Sequence, residues 1–140
     1  MLDLSTLEQA LNQFELVLAR ANDPLVISKQ DQVDQWITKA GIIQHFEIVY
    51  ELCWKFMQRW IKENRNADEA EAGRSRKDLY RVAARLGLIK DPEHWFDYGD
   101  ARNLSTHTYS SITADRVYAA TGPLAKDARY FFIELKKRND

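Results

Sequence analysis

The sequence predicts an all-α protein, and three observations predict it. Apolar residues recur at steps of three and four along most of the chain, and Ser, Asp and Pro stand where such runs begin. No run alternates apolar with polar residues in the period-two manner of a strand, and no hairpin dipeptide or internal repeat occurs. The simplest arrangement is an antiparallel up-and-down bundle of about five helices with short connections. A length of 140 residues makes it one domain, residues 1–140.

The first helix is expected after a capping box in Ser5-Thr6-Leu7-Glu8, with Leu7, Leu11, Phe14 and Leu18 on one face. Asn22-Asp23-Pro24 ends it, and a connection follows to about Lys29. The second helix runs from near Asp31 to Asn64 on a long stripe: Val33, Trp36, Ala40, Ile43, Phe46, Tyr50, Cys53, Met57 and Trp60. At 1.5 Å per residue it spans about 50 Å, the strut of the bundle. It also carries a polar row, Gln44, Glu47, Glu51 and Lys55. Glu47 and Glu51 repel at i,i+4, so helix stability alone does not explain the row, and contact with a partner is one reading against a plain solvent face.

Residues 65–73 read as a polar connection without apolar period. Ser75 caps the third helix, which buries Leu79, Val82, Ala83 and Leu86 and closes at Gly87. Asp91-Pro92 supplies N-cap and first position of the fourth helix, where Trp95, Phe96 and Tyr98 add aromatic mass. Thr113-Ala114-Asp115 starts a last helical region that Gly122-Pro123 kinks or divides.

Composition excludes several classes. Hydrophobic residues at 45% and charged residues at 29% suit a soluble globular chain, and no apolar run is long enough for a bilayer. Asp3 and Glu8 interrupt any signal-like amino terminus, so a cytoplasmic location is expected. The single cysteine, Cys53, excludes an intramolecular disulfide and reads as core filling. His45, His94 and His107 lack metal-ligand spacing, so neither a metal nor a cofactor is expected. The net charge of −1 gives no global attraction for nucleic acid. Locally, Arg74, Arg76, Lys77, Arg81 and Arg85 are dense enough to guide a phosphate backbone, or to form the basic face of an amphipathic helix.

One stretch carries chemistry: Asp100-Ala101-Arg102-Asn103-Leu104-Ser105-Thr106-His107-Thr108-Tyr109. Arginine presents a planar fork of donors to phosphate oxygens, and histidine gives and takes protons near neutrality. Arg102 and Tyr109 share a stripe. Arg102 and His107 stand about 140° apart on an ideal helix, so they flank a groove more readily than they meet. A local break in the helix, or a second copy of the chain, would bring them together, and a composite site at a homodimer interface is expected.

The run Gly41-Ile42-Ile43-Gln44-His45-Phe46-Glu47, Glu51-Leu52-Cys53-Trp54-Lys55, Leu86-Gly87-Leu88-Ile89, Trp95 and the stretch from Arg102 to Tyr109 together resemble the HEPN family. More narrowly they resemble HepT-like proteins, also called nucleotidyltransferase substrate-binding proteins, which pair with a minimal nucleotidyltransferase. The likeness runs from about residue 35 to the end. Its most specific element is arginine, four residues, histidine, one residue, tyrosine: Arg102, His107 and Tyr109.

The resemblance implies a metal-independent ribonuclease, the toxin of a toxin–antitoxin pair, silenced when the partner enzyme transfers AMP to Tyr109. On that basis Arg102 would hold the scissile phosphate, His107 would act as acid or base, and Asn103 would orient the phosphate or the histidine. Asp100 would hold the arginine. Two rivals predict other outcomes: a non-enzymatic docking or substrate-binding partner of the nucleotidyltransferase, and a structural helical dimer with the motif at its interface.

Overall fold

The computed structural model describes residues 1–65 and 75–139. Its order is α1 (Ser5–Ala21), α2 (Pro24–Ile27), α3 (Gln32–Asn64), α4 (Arg76–Arg85), α5 (Pro92–Leu104), a 3-10 turn (Ser105–His107), α6 (Ser111–Ala119) and α7 (Thr121–Arg138). All described secondary structure is helical, as expected. The central strut α3 packs against α1 and α7 and also touches α4, α5 and α6, so most of the core lies along it.

Four caps explain where helices start. Asp31 Oδ1 accepts from the Asp34 amide at 2.8 Å, and Asp34 Oδ2 accepts in return from the Asp31 amide at 3.2 Å, a reciprocal box that opens α3. Ser75 Oγ accepts from the Asp78 amide at 3.2 Å to open α4. Asp91 Oδ1 accepts from the Glu93 amide at 2.9 Å with Pro92 next in line, which opens α5. Ser110 Oγ accepts from the Thr113 amide to open α6, three residues before the start read from Thr113.

The expected Ser5 box does not form. Ser5 has no capping hydrogen bond to the first turn; its amide and hydroxyl both donate to Asp3 Oδ1, at 3.0 and 2.6 Å. Leu4 takes the N-cap position, and Ser5, already inside the helix, bonds to the carboxylate two residues upstream instead. The connection after α1 also holds a further helical turn, α2, because Asp23 accepts from the Leu25 amide and Pro24 presets the backbone. The last helical region is divided, as Gly122-Pro123 leads one to expect, because Pro123 cannot bond the Ala119 carbonyl as a continuous helix needs. The division falls at Ala120, and Pro123 lies in the first turn of α7, where its missing N–H has no carbonyl to bond.

Gly87 closes α4 at φ +80°, the left-handed conformation expected of it. The core contains Leu7, Leu11 and Phe14 of α1, Phe46, Tyr50, Cys53 and Met57 of α3, Tyr80 of α4, Trp95 of α5 and Phe131 of α7. Tyr80 stacks at a tilt on Trp95 at 5.8 Å, and Trp95 meets Phe131 edge-on at 6.5 Å. Burial pushes the Cys53 thiol far above its ordinary range, consistent with core filling.

The first two turns of the α3 stripe are an exception. Val33 and Trp36 are 54% and 62% exposed, as is Ala40 at its class, because α1 has already turned away at Ala21. Among the described residues, no helix is long and apolar enough to cross a membrane.

Candidate functional site

α5 and α3 build the site between them. The Asp91-Pro92 cap starts α5, and Trp95, Tyr98 and Ala101 bury one of its faces. That leaves Arg102 and Asn103 in its last turn, on the side of α3 and α4. The helix then tightens into the 3-10 turn Ser105–His107, which is the local break that the spacing of Arg102 and His107 calls for. His107 and Tyr109 emerge exposed, Tyr109 at 87%.

Arg102 is held from behind. Its Nη1 donates to Ser105 Oγ at 3.0 Å and pairs with Glu47 Oε2 at 2.8 Å. The Ser105 hydroxyl lies 2.8 Å from Glu47 Oε2 and 2.6 Å from the Arg102 carbonyl, and shares its one proton between them. Arg102 Nε is shielded from solvent without a hydrogen bond, and stands 3.6 Å from Glu51 Oε1. Asp100, expected to hold the arginine, makes no hydrogen bond or ion pair with it among the described residues; it sits exposed on the rim. A carboxylate two residues away on a helix points to the wrong side, whereas Glu47 and Glu51 reach across from α3.

The row on α3 therefore divides. Gln44 and Lys55 are exposed, while Glu47 and Glu51 are partly buried against guanidinium groups of their own chain. Arg76 Nη1 and Nη2 donate to the two oxygens of Glu51 at 3.0 and 3.1 Å, a parallel fork. Those bonds raise the Arg76 guanidinium still further above its ordinary range. The unfavourable Glu47–Glu51 spacing is thus relieved by Arg102 and Arg76, and that spacing was the sequence signal for them. Ser105 gave no signal, because a serine inside a motif looks like filler until it is seen buried.

Of the basic residues, Arg76 and Lys77 open α4 and line a groove of about 410 Å³ that Arg102, Asn103 and Thr106 share. Arg81 pairs with Asp78 at 2.7 Å and lies 5.2 Å from the Phe96 ring, with Lys77 at 5.4 Å from the same ring. Arg74 lies outside the described residues, as does most of the connection read over 65–73.

His107 and Tyr109 form their own pair. Tyr109 Oη lies 3.5 Å from His107 Nδ1 and the rings meet edge to face at 5.9 Å. No hydrogen bond joins either to Arg102 among the described residues; Arg102 stands before the 3-10 turn, His107 ends it and Tyr109 follows it. On the other flank of α5 a larger cavity, about 790 Å³, holds His94, Tyr98 and Asp127. Tyr98 donates to Asp127, and burial with that carboxylate pushes its phenol above the ordinary range. No group of three His, Cys, Asp or Glu side chains among the described residues is arranged to hold a metal ion.

A family model described as nucleotidyltransferase substrate binding protein like matches residues 2–137. A protein of Haemophilus influenzae described as probable ribonuclease HepT is 34% identical over 139 residues, covering 99% of this chain and 94% of the relative. A solved structure from the same genus and species, described as the fold of a substrate binding domain of a nucleotidyltransferase, superposes with TM-score 0.88 at 33% identity, over 96% of this chain and 99% of the other. A Thermus thermophilus structure shares the fold at TM-score 0.72 and 23% identity, over 93% and 98%. The chain belongs to the nucleotidyltransferase substrate binding protein like family and is HepT-like within it.

Proposed function

We propose that the chain is a metal-independent endoribonuclease, the toxin of a toxin–antitoxin pair, acting as a homodimer. The observation that carries this reading is the turn after α5: it presents His107 to solvent directly beyond the groove that holds Arg102. The relative described as a probable ribonuclease supports it.

In this mechanism the RNA 2′-oxygen attacks the adjacent phosphorus and the 5′-oxygen leaves. His107 takes the 2′ proton or gives one to the departing oxygen, while Arg102 stabilises the charge gathering on the phosphoryl oxygens. Asn103, exposed beside Arg102, orients the phosphate. The products are a 2′,3′-cyclic phosphate and a 5′-hydroxyl. Two chains related by a dyad would bring the Arg102 of one near the His107 of the other.

The off-switch in this reading is Tyr109. An AMP group transferred there by a partner nucleotidyltransferase would add bulk and negative charge 3.5 Å from His107, and its phosphate would compete with RNA for Arg102.

A second reading has its own support: a non-enzymatic substrate-binding partner of the nucleotidyltransferase. Arg102 already has Glu47 and Glu51 beside it, so its charge is partly offset before any RNA arrives. A single-stranded oligoribonucleotide and its 2′-deoxy counterpart separate the two. The nuclease reading predicts cleavage of the first in the presence of EDTA, with cyclic phosphate ends, and none of the second. Equal cleavage of both, or of neither, contradicts it.

A further inference from the structure

The groove between α3, α4 and α5 has features that the cleavage step does not use. Arg76 is the first residue of α4, and its side chain turns to α3. Its guanidinium lies 4.4 Å from the Trp54 ring and 5.5 Å from the Tyr50 ring. Those rings give the guanidinium a contact besides the carboxylate. The two parallel bonds it makes to Glu51 are also the geometry with which arginine grips two oxygens of a phosphate.

Glu51 sits between two guanidinium groups. Arg76 grips it from one side, and the shielded Nε of Arg102, which has no hydrogen bond, stands 3.6 Å away on the other. An anion of stronger charge and more oxygens than a carboxylate would satisfy both. Lys77 and Asn103 add donors at the rim, and the floor is aromatic, with Tyr80 and Trp95. At about 410 Å³ the space falls within the range of small-molecule sites, about 300–1,000 Å³.

We propose that this groove binds one phosphate-bearing nucleotide unit, with its phosphate entering between Arg76 and Arg102 and displacing the Glu51 carboxylate. The site adjoins the proposed cleavage machinery, shares Arg102 with it and so deepens that reading: Arg102 would face both the scissile phosphate and the neighbouring one that Arg76 grips. The same chemistry is offered by an RNA strand and by a free mononucleotide such as AMP. Glu51 acts as a built-in competitor: it keeps the two arginines ordered when the groove is empty and lowers affinity when it fills.

The test uses the full chain carrying His107→Ala, so that RNA stays intact. A fluorescein-labelled single-stranded oligoribonucleotide is titrated by anisotropy at fixed salt, with unlabelled AMP as competitor. Arg76→Ala is expected to weaken binding about tenfold or more, as loss of a charge-assisted pair of bonds does. Glu51→Gln is expected to tighten it at least about threefold by removing the competing charge. That gain is one that structural damage cannot imitate. Competition by AMP assigns the groove to a mononucleotide, and its absence assigns it to the strand.

Absence of binding, or an unchanged Kd in both variants, overturns the proposal. The two readings fail separately. Arg76-dependent binding with no cleavage by the unaltered chain leaves the groove and removes the nuclease. Cleavage by Arg76→Ala with an unchanged KM removes the groove and leaves the nuclease.

Discussion

At Gly99 a β-carbon would stand 2.9 Å from the Tyr50 hydroxyl, which is buried and accepts from Tyr80. Neither ring can retreat, because Tyr80 also leans on Trp95 and Phe96. Gly99→Ala should therefore cost about 1–3 kcal/mol, read as a lowered urea midpoint at unchanged slope. An unchanged midpoint would show that the α5–α3 approach is looser than these distances. The same scale explains the site. Glu47, Ser105 and Arg102 form one hydrogen-bonded group, so the orientation of the guanidinium is set by the core side of the molecule and not by the solvent-facing Asp100.

Helix beginnings set where these residues stand. If the Asp91 cap fixes the start of α5, Asp91→Ala should lower stability by about 1 kcal/mol, measured as a fall in Tm. The carboxylate of Asp91 also lies 3.5 Å from His94, so Asp91→Asn, which keeps a capping oxygen, should recover most of the loss. At this scale much of the fold was legible in the chain. Asp31, Ser75, Asp91 and Gly87 do what short-range chemistry predicts, because a cap needs only its own first turn.

The failures came where competition or distant partners decide. Asp3 displaced Ser5 as the group that the amino terminus bonds to. The exposure of Val33 and Trp36 depends on where α1 ends, which no local pattern states. The motif residues were singled out by type and spacing, and the break after α5 was one of two geometries the spacing allowed. The anchoring of Arg102 by Glu47 and of Arg76 by Glu51 spans 55 and 25 residues of chain, beyond any periodicity, and showed only as an unexplained pair of like charges.

For the whole molecule, a direct consequence follows if two chains complete each site. Arg102→Ala and His107→Ala chains, each inactive alone, should regain part of the cleavage rate when mixed under exchange, up to about a quarter of the parent rate if half of the dimers are mixed and each has one intact site. Mixtures that stay at the level of the separate variants would place both groups in the same subunit.

The central claim is that Arg102 and His107 break RNA, and its most direct test is the single-turnover rate on a single-stranded oligoribonucleotide. The account predicts that His107→Ala lowers this rate by about 10²–10⁴-fold with circular dichroism and melting unchanged, since the side chain is exposed and supports no core contact. A variant that cuts as fast as the parent chain would contradict it.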